Sequence, residues 1–220
     1  MISKGIVYVS FGKKSAIAVQ NSYGSIVNMG ASIPTAVIGD NEIPNMENIK
    51  WDGDAPLYNN KGIFLAGAIK PFLYDLSRFD YTLYLDADTI VYGNIMSGFD
   101  PLDENDICVA NHYDNIRVGN VDESVEKSET INLVGNIPFI NSGVIFFRKS
   151  DATKFVFENW HKEWLKYGGW DEQLALHRAI YKCADIKIFC MPEIWNQKYK
   201  KDNTIIWHQM GSQVARKINH

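Results

Sequence analysis

The stretch Tyr81–Asn94, YTLYLDADTIVYGN, sets two carboxylates, Asp86 and Asp88, between two apolar runs. Burying one carboxylate is costly, and a second beside it adds like-charge repulsion. LYL before the pair and TIVY after it leave little room for a solvated turn, and Ala87 is small enough for a ligand to come close. Two hard oxygen donors at a strand end suit Mg2+ or Mn2+ already carrying phosphate oxygens. The chain holds sixteen Asp, so a D-x-D triplet alone is within chance. A second one, Asp52-Gly53-Asp54 before Pro56, reads as a loop.

Outward from this stretch, short β-branched and aromatic runs read as strands at Ile6–Val9, Thr35–Ile38, Tyr81–Leu85, Thr89–Tyr92, Ile107–Ala110, Val144–Phe147, Ile186–Met191 and Thr204–Trp207. Helical patterns lie between several of them. Ser15 is placed to cap a helix through about Val27, and Ser150 or Asp151 a second with Val156, Trp160 and Trp164 on one face and Gly168 as terminator. A third runs from Asp171 to about Lys182, and Pro71 breaks the segment Lys61–Phe79 into a kinked helix or two short ones. Residues 111–136 are polar and aperiodic, which predicts a long surface loop. Alternating strands and helices predict a single α/β domain over residues 1–220, with a mainly parallel central sheet flanked by helices and ligands bound at strand carboxyl ends. Asp86 and Asp88 lie at such an end.

The chain has 220 residues, 46% of them hydrophobic, enough for a sizeable core. Its net charge of −4 excludes a general nucleic-acid binder. Nine acids crowd residues 100–129, and six Lys/Arg crowd residues 187–220, a pattern read as solvated faces. Cys108, Cys183 and Cys190 show no CxxC spacing, and the five-residue apolar run of MISKGIVYVSFGKK is short for a signal peptide. These features predict buried free thiols, no transmembrane segment and a cytoplasmic location.

YLDADTIVYGN resembles the metal-binding D-x-D strand of GT-A-fold (Rossmann-like) nucleotide-sugar glycosyltransferases, and is most similar to the retaining, glycogenin-like group. Further segments match that group in order. Lys70 lies sixteen residues before Asp86, where the family places a basic residue near the donor. FINSGVIFF (Phe139–Phe147) resembles the N-S-G-V strand, YGGWDEQLAL (Tyr167–Leu176) the G-G-D-Q segment, MPEIWN (Met191–Asn196) the P-x-x-[Y/W/F]-N stretch, and IIWHQMG (Ile205–Gly211) the late H-x-x-G. The resemblance spans Val7 to Gly211.

The resemblance implies a metal-dependent hexosyltransferase using a nucleoside-diphosphate sugar, with UDP-glucose or UDP-galactose favoured, and retention of anomeric configuration. Asp86, Asp88 and His208 would hold Mn2+ or Mg2+; Asp171, Gln173 and Asn141 would shape the catalytic site. Tyr8, Ser10, Phe11, Lys70, Asp86, Ala87, Asp88, Asn141, Ser142 and Gly211 would contact the donor. Read without the family, two carboxylates and an imidazole leave coordination positions open for a diphosphate. Two departures stand out. Glu172 separates Asp171 from Gln173 where the family has D-Q, and Val214 stands where it has a diphosphate lysine, with Arg216 and Lys217 just beyond. Rival readings are a non-catalytic nucleotide-sugar or carbohydrate-binding module, and a haloacid-dehalogenase-type phosphatase, whose nucleophile motif LDADT also resembles but which needs a later acidic motif this chain lacks. The acceptor carbohydrate or protein has no readable code.

Overall fold

Along the first strand, β1 (Lys4–Ser10), Ile6 and Tyr8 join one buried cluster while Val7 and Val9 join another. Successive side chains point to opposite faces, so a strand covered on both sides reads as an unbroken apolar run. The computed structural model describes residues 2–53, 66–116, 125–168 and 172–209. After β1 come α1 (Gly12–Asn28), β2 (Thr35–Gly39), β3 (Glu47–Lys50), α2 (Leu73–Leu76), β4 (Tyr81–Leu85) and β5 (Thr89–Val91). The chain continues through β6 (Ile107–Asn115), α3 (Val125–Val134), β7 (Pro138–Arg148), α4 (Asp151–Lys166), α5 (Glu172–Tyr181), β8 (Ile188–Met191) and β9 (Ile206–His208).

Seven strands form one sheet in the order β3-β2-β1-β4-β7-β6-β8, and β5 pairs with β9 in a separate ribbon. The sheet is mainly parallel; β7 alone runs against both of its neighbours, β4 and β6. Helix α1 covers one face through Val19 and Ile26, and α4 and α5 cover the other through Val156, Trp160, Trp164 and Leu176. This is the expected α/β architecture.

The departures have local causes. Helix α1 starts at Gly12, not Ser15, because Gly12 at φ 76° turns the chain out of β1 and its N–H donates to Asp40 Oδ1 at 2.9 Å. Residues 111–116 and 125–136 are not a featureless loop: β6 runs on through Asn115, and α3 lies beyond it. Strand β3 reads ENIK and sits at the sheet edge, where polar residues replace the apolar run of a central strand. The segment before β4 is broken, with 3-10 turns at Ala66–Ala68 and Lys70–Phe72 before the short α2, as Pro71 requires. Ser150 caps α4 as expected, accepting from the Thr153 N–H.

Candidate metal and donor site

Asp86 leaves the end of β4, and its backbone N–H donates to Gly143 O of β7 at 2.8 Å. Leu85 pairs with Val144, so the antiparallel register sets Asp86 beside Asn141, Ser142 and Gly143. The ribbon then closes a distance the sequence leaves open. Thr89 pairs with His208, and Gln209 N–H donates to Asp88 O at 2.9 Å, so β5 and β9 carry His208 onto the acidic pair.

One ligand atom each from Asp86, Asp88 and His208 lies within 4.8 Å of the others. His208 Nε2 is 3.2 Å from Asp88 Oδ1 and 3.6 Å from Asp86 Oδ2. The tautomer follows from the amide behind the ring. Asn196 Nδ2 donates to Asn141 Oδ1 at 3.0 Å, which turns Asn196 Oδ1 toward His208 Nδ1 at 2.9 Å. Nδ1 therefore donates, and Nε2 presents its lone pair to the two carboxylates. Three acceptors converging in this way fit a hard divalent cation. Gly143 makes the convergence possible, since a Cβ there would lie 2.2 Å from His208 Cε1 and 2.7 Å from Asp86 Oδ2. Gly143→Ala is expected to force the ligands apart and raise the Mn2+ concentration for half-saturation by about 10–100-fold, measured by calorimetric titration.

Lys70 is buried beside this cluster. Its Nζ is 3.0 Å from Asp86 Oδ1, 3.0 Å from Ser142 Oγ and 3.3 Å from Glu172 Oε1. Burial works against the Lys70 charge, but Asp86 and Glu172 outweigh it, so its pKa stands above the ordinary lysine value. The Tyr84 hydroxyl donates to Asp86 Oδ1 at 2.5 Å. Burial first, and Asp86 second, raise the Tyr84 pKa well above that of a free tyrosine, so it remains a donor.

The structure thus gathers Lys70, Asp86, Ala87, Asp88, Asn141, Ser142, Gln173 and His208 around one strand end; Gln173 Oε1 accepts from the Ser142 N–H at 3.3 Å. Asp171 and Gly211, with Asp54, Val214, Arg216 and Lys217, lie outside the described residues. Tyr8 is fully buried against α1, and its hydroxyl meets Ser22 Oγ at 2.9 Å. It reaches the site through a buried hydroxyl chain, since Ser22 Oγ lies 3.0 Å from Thr89 Oγ1, which donates to Asp86 O at 2.9 Å. Ser10 Oγ is buried at the end of β1 with no hydrogen-bond partner among the described residues, and Phe11 packs partly buried on the α4 side of the sheet. Glu172 and Asn196 hold positions in the network that the sequence did not assign. For Glu172 the only local signal was its intrusion between Asp171 and Gln173; for Asn196 it was membership of MPEIWN.

Residues 72–205 match the family model described as nucleotide-diphospho-sugar transferase. The chain belongs to this family. It is a glycosyltransferase with a GT-A fold, and its donor is a nucleotide sugar. Among solved structures it is similar to the galactosyltransferase LgtC in complex with donor and acceptor sugar analogues, at a TM-score of 0.69 and 14% identity over 94% of this chain and 87% of that one. Mouse xyloside xylosyltransferase 1 in its apo form gives a TM-score of 0.64 at 11% identity, covering 97% and 99%. The glycosyltransferase GlyE of Streptococcus pneumoniae TIGR4 gives 0.62 at 14% identity, covering 96% of this chain and 56% of that one. No curated protein matches the chain. Among the described residues, no helix is long and apolar enough to cross a membrane.

Proposed function

We propose that this glycosyltransferase is metal-dependent, takes a UDP-linked hexose such as UDP-glucose or UDP-galactose, and transfers it with retention to a carbohydrate or protein acceptor. The observation that carries the metal reading is the convergence of Asp86, Asp88 and His208 within 4.8 Å at the end of β4. Mn2+ or Mg2+ bound there would neutralise the charge that develops on the departing nucleoside diphosphate. The chain's own residues do the rest. Asn196 and Asn141 hold His208 in its ligating tautomer, and Lys70 adds a fixed positive charge within 3.0 Å of Asp86. Asn141, Gln173 and Asp171 are read as the residues shaping the sugar's reacting face, with Ser10, Phe11, Ser142, Ala87 and Gly211 as further donor contacts. UDP and retention rest on the ordered motifs from Lys70 to Gly211. One GT-A domain over residues 1–220 is part of the same reading, as is a cytoplasmic location, which the free thiols Cys108, Cys183 and Cys190 support.

The test is a panel of nucleotide sugars incubated with Mn2+, Mg2+ or chelator while nucleoside diphosphate release is followed. Release with a UDP-hexose, lost in chelator and restored by Mn2+, is the expected result. Full release in chelator would sink the metal assignment, and turnover confined to another base would sink the UDP reading.

A further inference from the structure

Strand β7 loses step with β6 where it reaches the metal and donor site. Val109 stands opposite Ile145 and Asn111 opposite Ile140, so Ala110 of β6 faces a stretch of four residues in β7, Asn141–Val144. The bulge includes Asn141, Ser142 and Gly143, the residues beside Asp86, and an interrupted ladder holds their backbone less firmly. Helix α5 supplies acceptors there. Gln173 Oε1 accepts the Ser142 N–H at 3.3 Å, and His177 Nε2 accepts the Ile140 N–H at 3.0 Å. The spacings match, since four residues along a helix rise about 6 Å and two along a strand about 6.6 Å. His177 is 2% exposed, and its ring lies beside Phe139 at a centroid distance of 5.6 Å, so it meets the strand and not solvent. Burial first, and the Arg178 charge second, lower the His177 pKa to about 4, which keeps the ring neutral at neutral pH. A neutral ring that accepts at Nε2 carries its proton on Nδ1.

What is fixed at Ile140 is passed on to the candidate cation ligands. Asn141 follows Ile140 directly, and its Oδ1 accepts from the Asn196 amide, which turns Asn196 Oδ1 toward His208 Nδ1. The same Asn141 Oδ1 accepts the Gly143 N–H at 2.8 Å, and Gly143 O accepts the Asp86 N–H at 2.8 Å. Two members of the ligand cluster, Asp86 and His208, therefore take their bearing from the part of β7 that follows Ile140. We propose that His177 is a positioning residue: by accepting the Ile140 N–H it fixes Asn141–Gly143, and through them the approach of Asp86 and His208 to a divalent cation. It acts through these residues and is not itself a ligand. The role rests on the metal-dependent reading given above.

The experiment uses the whole chain with Mn2+ alone, titrated by calorimetry without donor or acceptor. His177→Phe keeps a planar ring and removes the acceptor. His177→Gln removes the ring and returns an acceptor, because the Gln amide oxygen stands as many bonds from Cβ as Nε2 does. Both variants are expected to lower the thermal midpoint, as most core changes do, so stability does not separate the roles. His177→Phe is expected to raise the Mn2+ concentration for half-saturation by about tenfold or more, and His177→Gln to stay within about threefold of the parent. A ring that serves packing alone predicts the reverse order. Parent-like Mn2+ binding in His177→Phe, or a loss of the same size in both variants, would overturn the positioning role and leave the metal site intact. Should His177→Phe not fold, His177→Gln decides alone: a titration within about threefold of the parent supports the role, and a larger loss overturns it. A parent chain that binds no Mn2+ would overturn the metal reading and the positioning role with it.

Discussion

Asp88→Asn is expected to lower metal-supported turnover on the order of 10³-fold, because it removes one of two anionic ligands from the place where diphosphate charge is to be neutralised. Asp88 Oδ1 lies 3.2 Å from His208 Nε2, so an amide keeps the shape and loses the charge. Asp88 is only half-buried and follows the end of β4, so its replacement is expected to change the thermal midpoint little. Nucleoside diphosphate release over a Mn2+ titration measures the effect. A parent-like rate at saturating Mn2+ would show that Asp88 is not a ligand.

The second large effect concerns stability, and lies further along α5. Arg178 of α5 is 1% exposed and donates to Glu163 Oε2 at 2.8 Å, Thr130 Oγ1 at 2.6 Å and Glu126 Oε1 at 2.7 Å. Glu126 and Glu163 are each 5% exposed, so Arg178→Ala takes the shared guanidinium away from two buried carboxylates on α3 and α4. Breaking a buried pair from one side costs about 3–5 kcal/mol, and the variant is expected to lose that much in denaturant unfolding. The parent carries a related pH dependence. Burial alone would raise the Glu163 pKa, but hydrogen bonds from Lys182 and Arg178 outweigh it and hold the carboxyl below the usual range. A depressed folded-state pKa contributes stability above the unfolded-state value and loses it as pH falls through the folded-state one. Stability is therefore expected to fall on acidification, and by less in Arg178→Ala. Equal pH slopes would show that the pair does not govern it.

That network also explains why α3 was illegible. Sequence reading finds a helix by its apolar stripe, but α3 buries Glu126, Lys127 and Thr130 and exposes Val125 and Leu133. Its docking face is polar because its partner is the Arg178 guanidinium, 52 residues beyond Glu126. Strand β3 was hidden for a simpler reason, being an edge strand with only Ile49 to mark it. Tyr8 shows a different limit: alternation places it on one face with Ile6, but does not tell that this face packs on α1.

By itself, the sequence determined the central strands, the helix capped at Ser150 and the one that runs to Tyr181, the family, and the identity of Asp86, Asp88 and His208 as a candidate ligand set. Those features are written in local pattern, where apolar runs, caps and motif order need no knowledge of the chain elsewhere. Only the tertiary structure decided that Thr89 pairs with His208, that Gly143 makes room for the imidazole, and that Glu172 shares Lys70 with Asp86. Each of these joins residues tens of positions apart through strand register or a single buried ammonium. Register and burial are properties of the packed sheet, and no local stretch of sequence contains them.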